Sequence, residues 1–200
     1  MPSDAQLMQQ VQAGRSDLFD ELIVRHRPGL LRFAQSKLGD ADRAEDAVQE
    51  ALMAAFAARG TYDPRFAFST WVYTIVLNTC RRQLRRRQRQ VDARVDQNAP
   101  VDPVASPLER LLESEAQQQL AESLARLPEA EADALRLRFF GGLQFDQIAL
   151  AMDSSVSGAK ARVRRGLERL AAQLTDPMTT NEAVPINSTS DFPHSGRSEP

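Results

Sequence analysis

Residues 143–170 read LQFDQIALAMDSSVSGAKARVRRGLERL: a short apolar helix, a turn, and a longer helix bearing Lys160, Arg162, Arg164, Arg165 and Arg169. Phe145, Ile148, Ala149 and Met152 are spaced to face inward, with the small Ala149 where two helices approach closely. Val163, Leu167 and Leu170 line the inner side of the second helix. This is the pattern of a helix-turn-helix. In such a unit the N-terminal part of the second helix enters the major groove of a duplex, so Ser157, Lys160, Ala161 and Arg164 are candidates to read base edges. Arg162 and Arg165 are candidates to clamp phosphates, and free backbone N–H groups over 155–157 could hold another. A surface helix with a basic face would account for the charges, but not for their coupling to the turn and the apolar spacing.

Working outward from this unit, apolar residues recur at helical spacing almost everywhere, and alternating runs of Val, Ile and Thr are missing, so the expected class is all-α. A proline start at LPEAE opens a helix over 128–140, which GGLQ ends. Before it, SPLE at 106–109 is a capping box with proline at the first helical position, opening a helix over 108–126. Residues 91–107 lose apolar periodicity and hold three prolines. They are expected to form a flexible tether that reaches about 55 Å when stretched. Two small helical domains follow from this punctuation, 1–90 and 108–174. Residues 175–200, polar and rich in Pro, Ser and Thr, have the composition of a disordered tail.

In the first domain the spacing predicts a short helix near 4–13, then a long stripe from Leu18 to Leu38 kinked at Pro28-Gly29 and ended by Gly39. Asp40 or Asp42 can cap the next helix, which carries Ala44, Val48, Ala51, Leu52, Ala55 and Phe56 inward and stops at Gly60. Its other face shows Asp46, Gln49, Glu50 and Met53 at i, i+3, i+4 and i+7, a pattern that a solvated acidic face would also produce. After the loop TYDPRFAF, Ser69 or Thr70 opens a helix with Trp71, Ile75 and Leu77 on its apolar side. That helix runs on into six arginines between 81 and 89, inside a chain whose net charge is −2.

Arg81, Arg82, Arg85, Arg86 and Arg89 fall at i, i+1, i+4, i+5 and i+8 and so form one ridge, a register that a linker would not need. Phe66, Phe68, Trp71 and Tyr73 lie just upstream. Aromatic faces beside arginine are what a single-stranded nucleic-acid site uses, although core packing is the readier explanation for Phe68 and Trp71. Charge is segregated: residues 81–94 hold 7 basic and 1 acidic side chains, and 154–174 hold 5 and 1, within otherwise acidic sequence. Two local basic footprints suggest two separate contacts rather than a wholly basic surface.

Other classes fall away. One cysteine, Cys80, and two histidines, His26 and His194, give no disulfide and no metal-ligand cluster. There is no glycine-rich phosphate loop or nucleophile elbow either. No catalytic residue, metal or cofactor is expected. With no leader-like N-terminus and no apolar run of membrane-spanning length, a soluble protein of a reducing cytoplasm is the expectation.

DRAEDAVQEALMAAF, then FSTWVYTIVLNTCRRQLRR, then the proline-rich tether, then LPEAEADALRLRFFGGLQFDQIALAMDSSVSGAKARVRRGLERL: over about 15–174 this order resembles the bacterial alternative sigma factors of the extracytoplasmic-function group. The resemblance implies a region-two domain, a linker and a region-four domain, with core RNA polymerase and promoter DNA as partners and no small-molecule substrate. It implies that the 40–56 helix docks on the β′ clamp helices through Asp46, Gln49, Glu50 and Met53, and that region four meets the β flap. The loop at 63–68 and the helix after it, with Phe66, Phe68, Trp71, Tyr73, Asn78, Arg81, Arg82 and Arg85, would capture and melt the minus-ten element. The helix bearing Ser157, Lys160, Ala161, Arg162, Arg164 and Arg165 would read the minus-35 element, and an anti-sigma factor is a further implied partner. Two departures stand out: WVYTI replaces the family's frequent WLYRI, placing Thr74 where an arginine is usual, and SGAKAR at 157–162 replaces GTVKSR. A helix-turn-helix regulator acting without polymerase is the competing reading; it leaves the aromatic cluster and the 46/49/50 face without a task.

Overall fold

The computed structural model describes residues 1–95 and 115–175; the capping box at 106–109, the start of the helix expected from 108 and the tail from 176 lie outside the described residues. Helix α1, Asp4–Gln12, opens on a capping box in which Ser3 and Gln6 exchange backbone and side-chain bonds, and it buries Leu7, Met8 and Val11. Helix α2, Phe19–Leu38, contains Pro28 without being interrupted. Pro28 lies on the solvent side, where Val24, whose carbonyl loses its helical partner, is 74% exposed. Gly39 closes α2 at φ +67°, its N–H donating to the Gln35 carbonyl at 2.8 Å.

Helix α3, Ala41–Ala57, is capped by Asp40, whose Oδ1 accepts from the Arg43 N–H at 2.9 Å. It buries Ala44, Ala47, Val48, Ala51, Leu52 and Ala55 against α2 and the next helix, and ends just before a 3-10 turn, Arg59–Thr61, that contains Gly60. Helix α4, Phe68–Val95, is the longest at 28 residues and about 42 Å. It passes the expected tether boundary at 91: residues 91–95 continue the helix.

Helix α5, Glu115–Ala125, leads to α6, Glu129–Phe139, with Pro128 at the N-cap. Gly142, at φ +66°, turns the chain into α7, Phe145–Ala151, where Gln144 and Gln147 form a second capping box. Helix α8, Val156–Thr175, follows; the Gly158 N–H donates to Ser155 Oγ at 3.0 Å. One orientation differs from expectation. Leu167 is 44% exposed, and the buried stripe of α8 is Ala159, Val163 and Gly166, with Leu170 at its margin. Gly166 permits the close approach, because a Cβ there would lie 2.7 Å from Leu135 Cδ1. No strand occurs among the described residues.

The two bundles, α1–α4 and α5–α8, are packed together, with α2 and α4 against α6 and α7. Tyr73 Oη donates to the Phe140 carbonyl at 3.1 Å, and Gly29 leaves room for that hydroxyl, since a Cβ there would sit 2.6 Å from it.

Candidate nucleic-acid interface

Helix α3 turns its alanine-rich side inward and leaves Asp46, Gln49, Glu50 and Met53 exposed on the other, Met53 at 68%. Glu50 is tied to the neighbouring helix by an ion pair from Arg82 Nη2 at 2.7 Å. The exposed face of α3 therefore continues onto the arginine side of α4.

The aromatic cluster divides by burial. Phe68 and Tyr73 are core residues, 3% exposed each, because the first turns of α4 face the bundle. Burial pushes the Tyr73 hydroxyl up to about 12. Trp71 is half-buried and packs edgewise on Tyr62 at 5.6 Å, whereas Phe66 is 45% exposed at the loop tip. The loop is braced: Tyr62 Oη donates to the Phe66 carbonyl at 2.8 Å, and Arg65 pairs with Asp63. The bracing reaches back to α1. Gln12 Nε2 donates to the carbonyls of both Arg59 and Tyr62 at 2.9 Å. Asp4 holds Arg25 at 2.8 Å and His26 at 2.6 Å, and the His26 ring packs on Phe68. Burial pulls the Asp4 carboxyl upward, but the bonds from His26 and Arg25 leave it below the usual range. Sequence reasoning places the α1 helix but misses this task, since a lone polar Gln12 on a surface helix carries no signal of its distant partners.

Asn78, Arg82, Arg85, Arg86 and Arg89 are exposed along α4. Arg81 leaves the ridge: its side chain is 23% exposed and its Nη2 and Nε lie 2.9 and 3.2 Å from Asp133 Oδ2, across the boundary between bundles. The same carboxylate accepts from Lys37 Nζ at 2.6 Å through Oδ1, with Arg136 Nη1 at 3.4 Å. Lys37 also reaches Glu129 at 3.1 Å, and Arg136 donates to the side chain and carbonyl of Ser36. The bond from Lys37 holds the Glu129 carboxyl below its ordinary value, while burial draws the Arg136 guanidinium down. Cys80, fully buried, feels these charges, but burial dominates and pushes its thiol up to about 11. None of these interbundle partners was foreseeable from spacing.

On α8, Ser157, Lys160 and Arg164 share the exposed face, with Ala161 partly covered. The two arginines expected to clamp phosphates differ in exposure, Arg165 being 48% exposed. Arg165 Nε donates to Glu131 Oε1 at 3.0 Å, while Arg162 is partly buried with Nη1 unpaired. The N–H of Gly158, at the start of α8, is taken by Ser155. Lys160 Nζ and the Arg138 guanidinium both lie over the Phe145 ring, fixing the α7–α8 corner. Among the described residues no His, Cys, Asp and Glu group could hold a metal, and no helix is long and apolar enough to cross a membrane.

Comparison with known proteins matches residues 22–90 to Sigma-70 region 2 and residues 117–170 to Sigma-70, region 4. The chain is similar to the RNA polymerase sigma-H factor of Pseudomonas aeruginosa, 31% identical over 84% of this chain and 91% of that one. It is also similar to the ECF RNA polymerase sigma-E factor of Escherichia coli, 29% identical over 84% and 92%. Among solved structures it resembles the sigma factor RpoE of Bartonella quintana, in complex with the anti-sigma factor NepR, with TM-score 0.66, 26% identity, and coverage of 78% of this chain and 96% of that one. CnrH, in complex with the cytosolic domain of CnrY, shares the fold at TM-score 0.69 and 24% identity, over 86% and 97%.

Proposed function

The chain belongs to the extracytoplasmic-function RNA polymerase sigma factors and serves as an alternative sigma factor directing transcription, and we propose that three of its surfaces divide that work. The exposed face of α3, with Asp46, Gln49, Glu50 and Met53, binds the β′ clamp helices of core polymerase. The loop at 63–68 with Phe66 and the edge of Trp71 takes the minus-ten element as it melts, and Asn78, Arg82 and Arg85 hold its backbone. Ser157, Lys160 and Arg164 meet the minus-35 element in the major groove, while the second bundle contacts the β flap.

The observation that carries this reading is the junction at Arg82 and Glu50, where the acidic face of α3 and the arginine side of α4 are continuous. A subunit that joins polymerase to a promoter needs a protein-binding and a DNA-binding surface side by side. A helix-turn-helix regulator acting without polymerase would leave Met53, 68% exposed, and its acidic neighbours without a task. Arginine contacts to phosphate supply sequence-independent, salt-sensitive attachment, and melted bases and the groove supply selection. Bond formation stays with the polymerase, so the chain itself has no catalytic step. It acts in the cytoplasm, where promoter DNA lies, and an anti-sigma factor is its expected regulator, as NepR is a partner of RpoE.

Purified chain mixed with core polymerase and a library of promoter fragments should yield specific run-off transcripts. Failure to bind core polymerase, together with tight duplex binding by the free chain, would overturn the reading. Arg85→Ala should lower the slope of log affinity against log salt by about one.

A further inference from the structure

Helix α1 lies before the span that matches region 2, which begins at residue 22, and none of the three surfaces above includes it. Yet both ends of the 62–68 loop are tied to it. At one end Gln12 Nε2 donates to the Arg59 and Tyr62 carbonyls, each at 2.9 Å. At the other, Asp4 holds His26 at 2.6 Å, and the His26 ring centre lies 5.1 Å from that of Phe68. The tie at Tyr62 is passed on. Tyr62 is 4% exposed, with its ring edgewise against Phe68 and Trp71, so fixing its backbone fixes its hydroxyl, which donates to the Phe66 carbonyl at 2.8 Å. The exposed Phe66 ring is therefore aimed by a chain of bonds that starts on α1. Gln12 is a firm starting point. Leu7, Met8 and Val11 bury α1, and the helix closes just after Gln12 through Gly14, at φ +105°, with the Arg15 N–H donating to the Gln10 carbonyl.

We propose that Gln12 is a positioning residue for base selection: acting through Tyr62, it holds the loop so that the Phe66 ring receives an unstacked nucleotide of the minus-ten element in one place. This rests on the reading of the 63–68 loop as the element that takes the melted strand. Stacking on Phe66 is by itself sequence-tolerant, because every base has a π-face. Discrimination comes from hydrogen bonds at the base edge, and these are lost when the base is stacked in the wrong place. A loop already held in its binding shape also gives up less conformational freedom when the strand arrives. Releasing the Gln12 tie thus costs discrimination between bases, while the arginines of α4 go on supplying attachment. Gln12 is exposed, so replacing it leaves the core intact. Gln12→Glu keeps the shape of the side chain but sets a carboxylate oxygen against the two carbonyls in place of the donors.

The test uses the full chain bound to core polymerase, with labelled promoter fragments that give run-off transcripts as probes. Each fragment is premelted over the minus-ten element by mismatching its strands, and carries at each non-template position the selected base or a substitute. Where the natural preference is strongest, Gln12→Glu should lower the affinity ratio of selected to substituted base about tenfold, the discrimination that one base contact carries. Gln12→Lys, whose ammonium still donates to both carbonyls, should keep the ratio. A chain that was merely less stable would bind every fragment less in the same proportion and leave the ratio unmoved. Gln12→Met, which lacks the donors, decides the matter if Gln12→Glu does not bind core polymerase. A ratio unchanged in the donor-free variant, or lowered equally in Gln12→Lys, overturns the positioning role. Phe66→Ala separates the two claims: if it keeps both the natural affinity and the natural ratio, the loop does not take the melted strand and Gln12 has nothing to position. If Phe66→Ala lowers either one while Gln12→Glu keeps the ratio, the loop reading stands and the role of Gln12 alone is lost.

Discussion

Helices α3 and α6 carry the most acidic side chains of the described helices, and those acids meet opposite ends. On α3, Asp46 and Glu50 stand in solvent over an inner face made mainly of alanine. On α6, Glu131 and Asp133 are 6% and 0% exposed, and the helix is buried from Glu131 to Leu137 without a break. The cause is what lies to each side. Helix α3 has neighbours on one face only, α2 and α4, whereas α6 is wedged between α8 and the α2–α4 face of the other bundle. Each of its acids finds cations there: Arg165 and Arg169 on Glu131, Lys37 and Arg81 on Asp133. Acidic residues on a helix thus say nothing of their role until the charge of the facing elements is known. Here one set stands at the surface, with Glu50 paired to Arg82, and the other is spent on joining the two basic segments.

The largest expected consequence of this difference is in stability. Asp133→Ala leaves Arg136 and the two interbundle cations without their shared acid and should cost about 3 kcal/mol, the low end for breaking a buried pair, because Arg81 keeps 23% of its side chain exposed to water. Chemical denaturation checks this; a loss comparable to that of a surface substitution would mean that the α6 acids are as solvated as those of α3. The next effect is local. Helix α3 owes its start to the Asp40 side chain, while α6 has no side-chain cap at Pro128. Asp40→Ala should therefore lower stability by about 1 kcal/mol, measured the same way.

Much of α3 and little of the α6 environment was legible from residue order. The turn at Gly39, the cap at Asp40 and the alanine stripe are local, and local chemistry is written in adjacent residues. The exposed quartet on α3 follows from the same period. The arginine register of α4 was legible too, but Arg81's departure from it was not, because Asp133 lies 52 residues away. Leu167 shows another limit: apolar residues at 163, 167 and 170 suggested the inner stripe, whereas the buried line passes through Gly166, which has no side chain to advertise it. Core packing, the readier explanation for Phe68 from the sequence, describes both Phe68 and Tyr73, because the first turns of α4 enter the bundle deeply.

A smaller effect separates the two helices by pH. The Glu129 carboxyl, lowered first by its bond from Lys37, stabilises the interface above the ordinary glutamate range, and this contribution is lost as pH falls through the depressed value. Since its side chain is 64% exposed, solvent screening keeps the contribution under about 1 kcal/mol. The stability gap between the natural chain and Glu129→Gln should close on acidification below the depressed Glu129 value. A gap that stays constant would remove Lys37 as its source.

The smallest stability change is expected where the largest loss of binding is. Asp46→Arg with Glu50→Arg alters two exposed positions and gives up one surface ion pair, that of Glu50 with Arg82, so stability should move by no more than about 0.5 kcal/mol. Binding to core polymerase should nevertheless be abolished, because like charge set against a basic partner surface costs several kcal/mol at an interface. Circular dichroism and denaturation test the first half, and titration with labelled core polymerase tests the second. If both stability and binding survive, the α3 face is ordinary solvated surface. If both fail, Glu50 and Arg82 hold the bundle together and α3 is closer to α6 than their exposures suggest. Only unchanged stability with lost binding leaves one acidic helix facing outward to a partner and the other facing inward to its own chain.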